Sequence, residues 1–213
     1  MPDHLYAVLA AQRVLPVLRD TDADEAVRHT TALLAAGCRA VELTTSTPGW
    51  AAAVTRTAPL SDVHGRPAFI GVGTVTTTAQ AETALDAGAA FLVSPYPARE
   101  VRAVAVRREA VFIEGGFTPG EIATAARAAG AAKVFPAHVG GPGFLRSLRA
   151  VLPEAVIIPT GGIRPAEVPE WLAAGATAVG IGGGLPSDPA ELAAVFAPVA
   201  ATGGVPHGTA TER

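Results

Sequence analysis

Short apolar segments rich in β-branched residues recur along the chain, roughly every 20–30 residues. Eight strands are predicted, at Val14–Leu18, Ala40–Leu43, Ala68–Val72, Ala90–Val93, Val111–Ile113, Ala132–Phe135, Val156–Ile158 and Ala178–Ile181. Because these segments are almost continuously apolar, we expect both faces of each strand to be buried. This pattern is typical of a parallel sheet covered by helices.

The stretches between the strands have apolar residues at helical spacing and end at glycine. Helices are predicted at Asp22–Ala36, Thr78–Ala87, Pro119–Ala129 and Glu167–Ala174, each followed directly by a glycine. Glycine in that place is the usual left-handed cap of a helix C-terminus. Another helix, His4–Gln12, is predicted before the first strand.

Eight strands alternating with helices in about 200 residues predict a compact (β/α)8 TIM barrel. A doubly wound open sheet is the alternative, since it has the same alternation of strands and helices. We expect residues 1–200 to form one domain. Residues 201–213, rich in Gly, Thr and Pro, are expected to form a mobile tail.

Composition narrows the function classes. The chain has 213 residues, 49% of them hydrophobic, and a net charge of −3 without a basic block, so we expect no nucleic-acid partner. The single cysteine, Cys38, excludes an internal disulfide and a multi-thiolate metal site, and we expect it to pack as a small apolar residue. No leader and no membrane-length apolar run is recognised, so a cytoplasmic protein without membrane contact is expected.

The unusual polar and glycine residues lie where the predicted strands end. In a (β/α)8 barrel, the active-site residues lie at the C-terminal ends of the strands. They are Arg19, Glu42, Thr74, Ser94, Pro95, Glu114, Lys133, Thr160, Gly161, Gly162, Gly182, Gly183 and Gly184.

Lys133 is the only lysine among 16 basic residues and lies inside a predicted strand. A charged group there is costly to bury unless it is paired or functional. One interpretation is an ion pair with Glu42 or Glu114. The other is a Schiff-base amine, with Glu42 moving protons, because apolar surroundings favour the uncharged amine that attacks a carbonyl. Both interpretations require the same proximity, so the sequence leaves them open.

The glycine turns after the last two strands, Thr160–Ile163 and Gly180–Gly184, suit a phosphate site built from backbone N–H groups. Tight turns without a ligand are the alternative. The histidines show no metal-ligand pairing at helix or strand spacing, so no metal site is predicted. They are His4, His29, His64, His138 and His207.

From about Val14 to Phe196, six ordered motifs resemble the KDPG/KHG aldolases, the 2-keto-3-deoxy-6-phosphogluconate and 4-hydroxy-2-oxoglutarate aldolases. The motifs are Val17-Leu18-Arg19, Val41-Glu42-Leu43-Thr44, Gly71-Val72-Gly73-Thr74-Val75, Val93-Ser94-Pro95, Lys133-Val134-Phe135-Pro136 and Pro159-Thr160-Gly161-Gly162-Ile163. The resemblance implies a class I aldolase on a (β/α)8 barrel, homotrimeric, acting on a small molecule, with a covalent imine on Lys133 and neither metal nor other cofactor.

Residue by residue, the resemblance implies that Lys133 forms the Schiff base and that Glu42 is the general acid and base. It assigns Thr74, Pro95 and Phe135 to the pyruvate pocket. The glycines at the end of the seventh and eighth strands match the phosphate end, namely Gly161, Gly162, Gly182 and Gly183, with Thr160 beside them as a further substrate-binding candidate. Arg19 is expected to face either the substrate carboxylate or the distal anion.

Three positions depart from the family pattern. Ser46 stands where many members have arginine, and a subset of the family with the same departure has arginine at the position of Arg19. Glu114 replaces a common proline, and we expect it to modulate the site if it points inward. Gly183 replaces a common serine, which removes a hydroxyl donor from the anion site.

The sequence therefore predicts a lyase that cleaves a 2-keto-3-deoxy-6-phospho sugar acid or a 4-hydroxy-2-oxo acid. The products are pyruvate and an aldehyde, glyceraldehyde 3-phosphate or glyoxylate. The family link also implies a place in Entner–Doudoroff carbohydrate metabolism. A phosphate-binding barrel of isomerase or synthase type, and a non-catalytic barrel, are the alternatives.

Overall fold

The computed structural model describes residues 2–197, and these form a closed (β/α)8 barrel, as predicted. The strands are β1 (Val14–Leu18), β2 (Ala40–Thr44), β3 (Phe69–Gly73), β4 (Phe91–Val93), β5 (Val111–Gly116), β6 (Ala131–Val134), β7 (Val156–Pro159) and β8 (Val179–Ile181). All ladders are parallel, in the order β7-β6-β5-β4-β3-β2-β1-β8. A bridge between Thr160 and Gly180 closes the ring, which excludes the open sheet.

Helices alternate with these strands around the barrel. They are α1 (Pro2–Gln12), α2 (Ala23–Ala35), α3 (Trp50–Thr57), α4 (Thr78–Asp86), α5 (Arg99–Arg107), α6 (Pro119–Ala129), α7 (Ala137–Val151), α8 (Val168–Ala173) and α9 (Pro189–Phe196). A 3-10 turn, Pro165–Glu167, precedes α8. None of these described helices combines the length and apolar composition needed to span a membrane. The tail expected at residues 201–213 lies outside the described residues.

The helix ends follow the sequence signals. Thr77 and Thr118 each form a capping box at the start of α4 and α6, with Gln80 and Glu121 as the reciprocal partners. The glycines predicted to end helices all have positive φ, at 94° for Gly37, 95° for Gly88, 75° for Gly130 and 103° for Gly175. Left-handed backbone is the conformation that favours glycine.

Strand alternation divides the core into an outer and an inner part. Outward-facing residues such as Val41, Val72 and Leu92 pack against the helices. Inward-facing residues such as Leu15, Phe91 and Ile113 fill the lumen together with α1. Helix α1 therefore closes the amino-terminal end of the barrel and leaves the carboxyl ends of the strands as the open side.

Two features differ from the sequence prediction. Strand β5 continues through Glu114 to Gly116, where its residues pair with β6, so Glu114 lies inside the strand rather than closing it. The helices α3, α5, α7 and α9 were not individually predicted. In α7 the Gly140-Gly141-Pro142 stretch disfavours a helix, and Gly141 interrupts it with φ 67° and ψ 178°.

Candidate active site

Two charged side chains meet inside the barrel. Lys133 on β6 places Nζ 3.3 Å from Oε1 of Glu42 on β2. The two residues are 91 positions apart in sequence, and both side chains point inward because each strand alternates between the helix layer and the lumen. Lys133 is 5% exposed and Glu42 is 1% exposed. The pair therefore has little access to bulk water, which strengthens its electrostatic interaction.

Glycine on β3 makes room for the Glu42 carboxylate. Gly73 pairs with Thr44 in the β2–β3 ladder. A Cβ atom at Gly73 would lie 1.8 Å from Oε1 of Glu42, which is far below a van der Waals contact. The Gly71-Val72-Gly73 pattern thus keeps the outward valine for packing, while Gly73 makes room for the carboxylate and Gly71 makes room for the Phe91 ring.

The Glu42 carboxylate is only half satisfied. Its Oε2 atom is buried and has no hydrogen-bond partner among residues 2–197. A buried acceptor without a partner costs about 1–3 kcal/mol, and such groups call for an explanation. A ligand hydroxyl or water in the lumen would satisfy this oxygen.

An aromatic wall stands beside the lysine. The ring centroid of Phe135 is 5.7 Å from Nζ of Lys133, and Phe135 is 36% exposed at the rim. Gly161 lies against this ring, since a Cβ atom there would be 2.9 Å from it. The lysine, the ring and the first glycine turn are therefore contiguous.

The ends of β3 and β4 are fixed by hydroxyl groups. Thr74 has a positive φ of 59°, and its carbonyl oxygen accepts a 2.8 Å hydrogen bond from Thr45 Oγ1. Ser94 Oγ donates to the Tyr96 carbonyl and accepts from the Gly115 amide, which holds the turn that contains Pro95. Left-handed backbone at a non-glycine residue persists only where neighbours impose it, and it clusters at functional sites.

Arg19 extends from the end of β1 toward β2. Its Nε donates to Ser46 Oγ at 3.1 Å, and Ser46 Oγ lies 2.8 Å from Thr44 Oγ1. Thr44 in turn donates to the Leu18 carbonyl. The guanidinium therefore lies beside Ser46, the position at which the resemblance implies an arginine in many members.

Arg19, Gly182 and Gly183 line one cavity of about 330 Å³ at the carboxyl ends of β1 and β8. Its wall includes neither Lys133 nor Glu42. Thr160 lies next to this region at the end of β7, with its side chain against Gly180. The structure thus separates two groups of predicted residues, one around the lysine and one around the cavity.

Glu114 does not belong to either group: its side chain does not point inward, so the condition set for its predicted role as a modulator is not met. Its Oε1 accepts a 2.7 Å hydrogen bond from the Ala98 amide, and its Oε2 pairs with Arg102 on α5. The side chain faces the helix layer because β5 continues past it and Gly115 takes the inward position opposite Lys133. The Lys133–Glu114 pair considered from the sequence is absent.

Two residues that contact predicted site residues were not identified from the sequence. His138 at the start of α7 places Nδ1 3.2 Å from the Gly161 carbonyl and covers Gly162, where a Cβ atom would meet its ring at 2.4 Å. Ser46 was noted only as a missing arginine, whereas its hydroxyl accepts from Arg19. Neither contact has a local sequence signal, because each joins residues beyond the ends of two paired strands, β1 with β2 and β6 with β7, that are 27 and 23 positions apart.

A closed (β/α)8 barrel with a buried lysine–carboxylate pair toward the carboxyl ends of its strands has the architecture of a TIM-barrel enzyme. The family model "KDPG and KHG aldolase" matches residues 5–195. The chain therefore belongs to the KDPG and KHG aldolase family, which confirms the resemblance, and its class is that of the aldolases, which are lyases.

Named relatives have related activities. The chain is 33% identical over 174 residues to 2-dehydro-3-deoxy-6-phosphogalactonate aldolase of Escherichia coli, covering 81% of this chain and 83% of the relative. It is 30% identical over 168 residues to 2-dehydro-3-deoxy-phosphogluconate aldolase of Zymomonas mobilis, covering 78% of each. The KDPG aldolase of Legionella pneumophila, solved with pyruvate captured at low pH as a covalent carbinolamine, superposes with a TM-score of 0.77 at 28% identity, covering 92% and 96% of the two chains.

Proposed function

We propose that this protein is a class I aldolase that cleaves a 2-keto-3-deoxy-6-phospho sugar acid, or a 4-hydroxy-2-oxo acid, to pyruvate and an aldehyde. The observation that carries the proposal is the 3.3 Å contact between Nζ of Lys133 and Oε1 of Glu42 in the lumen. The Legionella relative, with its covalent pyruvate carbinolamine, supports an amine nucleophile in this family.

The reaction begins at the lysine. The uncharged amine of Lys133 adds to the C2 carbonyl of the substrate to form a carbinolamine, and loss of water gives a protonated imine. Arginine elsewhere in the chain cannot replace it, because a guanidinium stays protonated. We assign the proton transfers of these steps to Glu42, because its Oε1 is 3.3 Å from Nζ and its Oε2 has no hydrogen-bond partner among residues 2–197 and is free to accept a proton.

Carbon–carbon cleavage then uses the same carboxylate. Glu42 takes the proton of the C4 hydroxyl, the C3–C4 bond breaks, and its electron pair moves into the imine to give an enamine and the free aldehyde. Glu42 returns a proton to C3, and water hydrolyses the resulting imine to pyruvate and free Lys133. Atoms and charges balance without an oxidant or a metal ion in the cycle, so no cofactor is proposed beyond the imine on Lys133.

The remaining residues are assigned by their neighbours. Phe135, Thr74 and Pro95 would enclose the pyruvate part, since Phe135 borders Lys133 and the turns of Thr74 and Pro95 are held at adjacent strand ends. Arg19, Gly182 and Gly183 would hold the distal anion, because they line one cavity. Gly161, Gly162 and Thr160 would complete that end through backbone N–H groups and a hydroxyl.

Imine trapping tests the mechanism. The protein is incubated with pyruvate and borohydride, which reduces the imine to a stable secondary amine, and the label is located by peptide mapping. We expect one label, on Lys133, with loss of activity. A protein that remains unlabelled at Lys133 under turnover conditions would contradict the mechanism and favour an isomerase, a synthase or a non-catalytic barrel.

The matched control is Lys133→Arg, which keeps the positive charge. It should be inactive and unlabelled apart from the α-amino background, because Lys133 is the only lysine in the chain. The N-terminal amine is thereby measured separately from the site.

The distal end gives a second prediction, the ratio of kcat/KM for the phosphorylated and unphosphorylated forms of one substrate. Gly183 lacks a side-chain hydroxyl, and a lost neutral donor costs about 0.5–1.5 kcal/mol. The phosphorylated substrate should therefore be preferred, but by less than is usual in the family. A ratio above about 10⁴, more than about 5 kcal/mol of discrimination, would contradict this prediction.

We also propose, from the family membership, that residues 1–200 act as one domain and that the protein is a cytoplasmic homotrimer in Entner–Doudoroff carbohydrate metabolism. The match to the family model, which spans residues 5–195, supports a single domain. Light scattering of the purified protein tests the trimer, since a monomeric mass would contradict it.

A further inference from the structure

Three metal-ligating side chains converge between the end of β1 and helix α2, apart from the lysine. They are Asp20, Glu25 and His29, and one donor atom of each lies within 4.8 Å of the other two. Glu25 and His29 are four residues apart on α2, so they share one helix face. Asp20 approaches that face from the strand end.

The Asp20 carboxylate is buried in an unusual way. Its side chain is only 8% exposed, and its backbone N–H donates to the buried Thr47 hydroxyl at 3.1 Å, which fixes its place. Oδ1 contacts Nδ1 of His29 at 2.8 Å. Oδ2 is buried and has no hydrogen-bond partner among the described residues. An ordinary ion pair with His29 leaves this second oxygen unexplained, whereas a cation would satisfy it.

The second carboxylate is held in place by hydrogen bonds. The Thr21 hydroxyl and amide both donate to Oε2 of Glu25, at 2.6 and 2.9 Å. These two contacts fix the Glu25 carboxylate at the first turn of α2, on the same helix face as His29.

The donor set suits a divalent transition metal. Two carboxylates and one neutral imidazole carry a charge of −2, which a divalent cation balances. Bonds of about 2.0–2.2 Å to such donors leave neighbouring donor atoms about 3–3.5 Å apart on one ion. His29 is 52% exposed, so its ring is free to make the small movement from the present spacing. Mixed imidazole and carboxylate ligands fit Zn²⁺ better than Mg²⁺ or Ca²⁺, which prefer oxygen alone.

We propose that Asp20, Glu25 and His29 form a site for one divalent transition-metal ion, Zn²⁺ above all, separate from the imine chemistry. Asp20 and His29 also line the cavity that contains Arg19 and Gly182. The bound ion would therefore add positive charge to the wall of that cavity. The proposal does not depend on the aldolase mechanism, and imine trapping on Lys133 does not bear on it.

The test is calorimetric titration of the chelator-stripped full-length protein with Zn²⁺. We expect saturable binding of one ion per chain and a rise in Tm on binding. His29→Asn and Glu25→Gln should each weaken binding by about tenfold or more. Glu25→Gln retains an oxygen that accepts from Thr21, so we expect this variant to fold. If circular dichroism shows that His29→Asn does not fold, the Zn²⁺ affinity of Glu25→Gln tests the proposal.

His64→Asn is the matched control, because His64 is an exposed histidine outside the cluster. Its Zn²⁺ affinity should stay within about threefold of the unsubstituted protein, well below the change expected for loss of a ligand. Absence of saturable binding to the unsubstituted protein would overturn the proposal. Equal affinity in the folded Glu25→Gln or His29→Asn variant and in the unsubstituted protein would overturn it as well.

Discussion

Inward-facing strand residues build both ends of the barrel lumen, but the residues at the two ends have opposite chemistry. At the amino-terminal end, Leu15 and Phe91 pack with Leu5 and Leu9 of α1 in one apolar cluster. At the carboxyl end, the inward positions are charged, polar or glycine, among them Glu42, Lys133, Thr160 and Gly73. Both ends are buried, so burial alone does not distinguish a stabilising region from a reactive one.

The difference lies in whether the buried groups are satisfied within the protein. At the apolar end, each buried apolar side chain stabilises the folded state. The polar end holds Lys133 against Glu42 and leaves Glu42 Oε2 without a partner in the described chain. A buried ion pair is weak evidence of stabilisation. We therefore expect substitutions at the polar end to change mainly kcat, and substitutions at the apolar end to change mainly the free energy of unfolding.

The largest effect is expected for Glu42→Gln. Removing the proton carrier should lower kcat by about 10²–10⁴-fold, while Tm changes little because the amide keeps the size of the side chain. Glu114→Gln is the matched control, since Glu114 is also a buried strand carboxylate but pairs with Arg102 in the helix layer. It should lower Tm and spare kcat per folded molecule. Equal kcat in the two variants would show that Glu42 is only an ion-pair partner.

Leu9→Ala tests the apolar end. Leu9 is fully buried beneath the strands, and its truncation should reduce the free energy of unfolding by about 2–5 kcal/mol. Denaturant unfolding measures this loss, and kcat per folded molecule should be unchanged. Val106→Ala on α5, where the side chain is 74% exposed, should change stability by no more than about 0.5 kcal/mol. A large loss of kcat in folded Leu9→Ala would argue against a division between the two ends.

Tyr6→Phe gives the smallest effect and tests how α1 is attached. The Tyr6 hydroxyl donates a 2.7 Å hydrogen bond to the Ala129 carbonyl, and its removal should cost about 1 kcal/mol. Burial, with a smaller contribution from Asp3, raises the pKa of Tyr6 from 10.0 to about 12. The unfolded chain therefore loses this proton first, and stability should fall as pH rises from 10 to 12.

The phenylalanine variant should lack the part of that alkaline slope due to Tyr6, measured by urea unfolding at several pH values. Tyr96→Phe, at a half-exposed position, should retain it. A slope that is the same in Tyr6→Phe and the unsubstituted protein would assign the alkaline transition to other groups.

Much of the fold follows from local signals in the sequence. The eight strands lie where apolar, β-branched runs predict them, and Gly37, Gly88, Gly130 and Gly175 have the left-handed backbone expected after a helix. The same signals fail where the local sequence opposes the final structure. The glycines and proline near the start of α7 conceal that helix, and apolar patterning does not extend β5 through Glu114. Pairing with β6, a long-range contact, decides the length of β5.

The sequence by itself determined which residues were available for chemistry, namely a single lysine and two glutamates, Glu42 and Glu114, in or beside predicted strands. Only the tertiary structure decided which carboxylate the lysine meets. Glu42 and Glu114 look alike in sequence, but strand alternation turns one into the lumen and the other toward Arg102. The tertiary structure also brings Asp20 close to Glu25 and His29. Side-chain direction depends on register and ring closure, which are set by contacts between residues far apart in the chain.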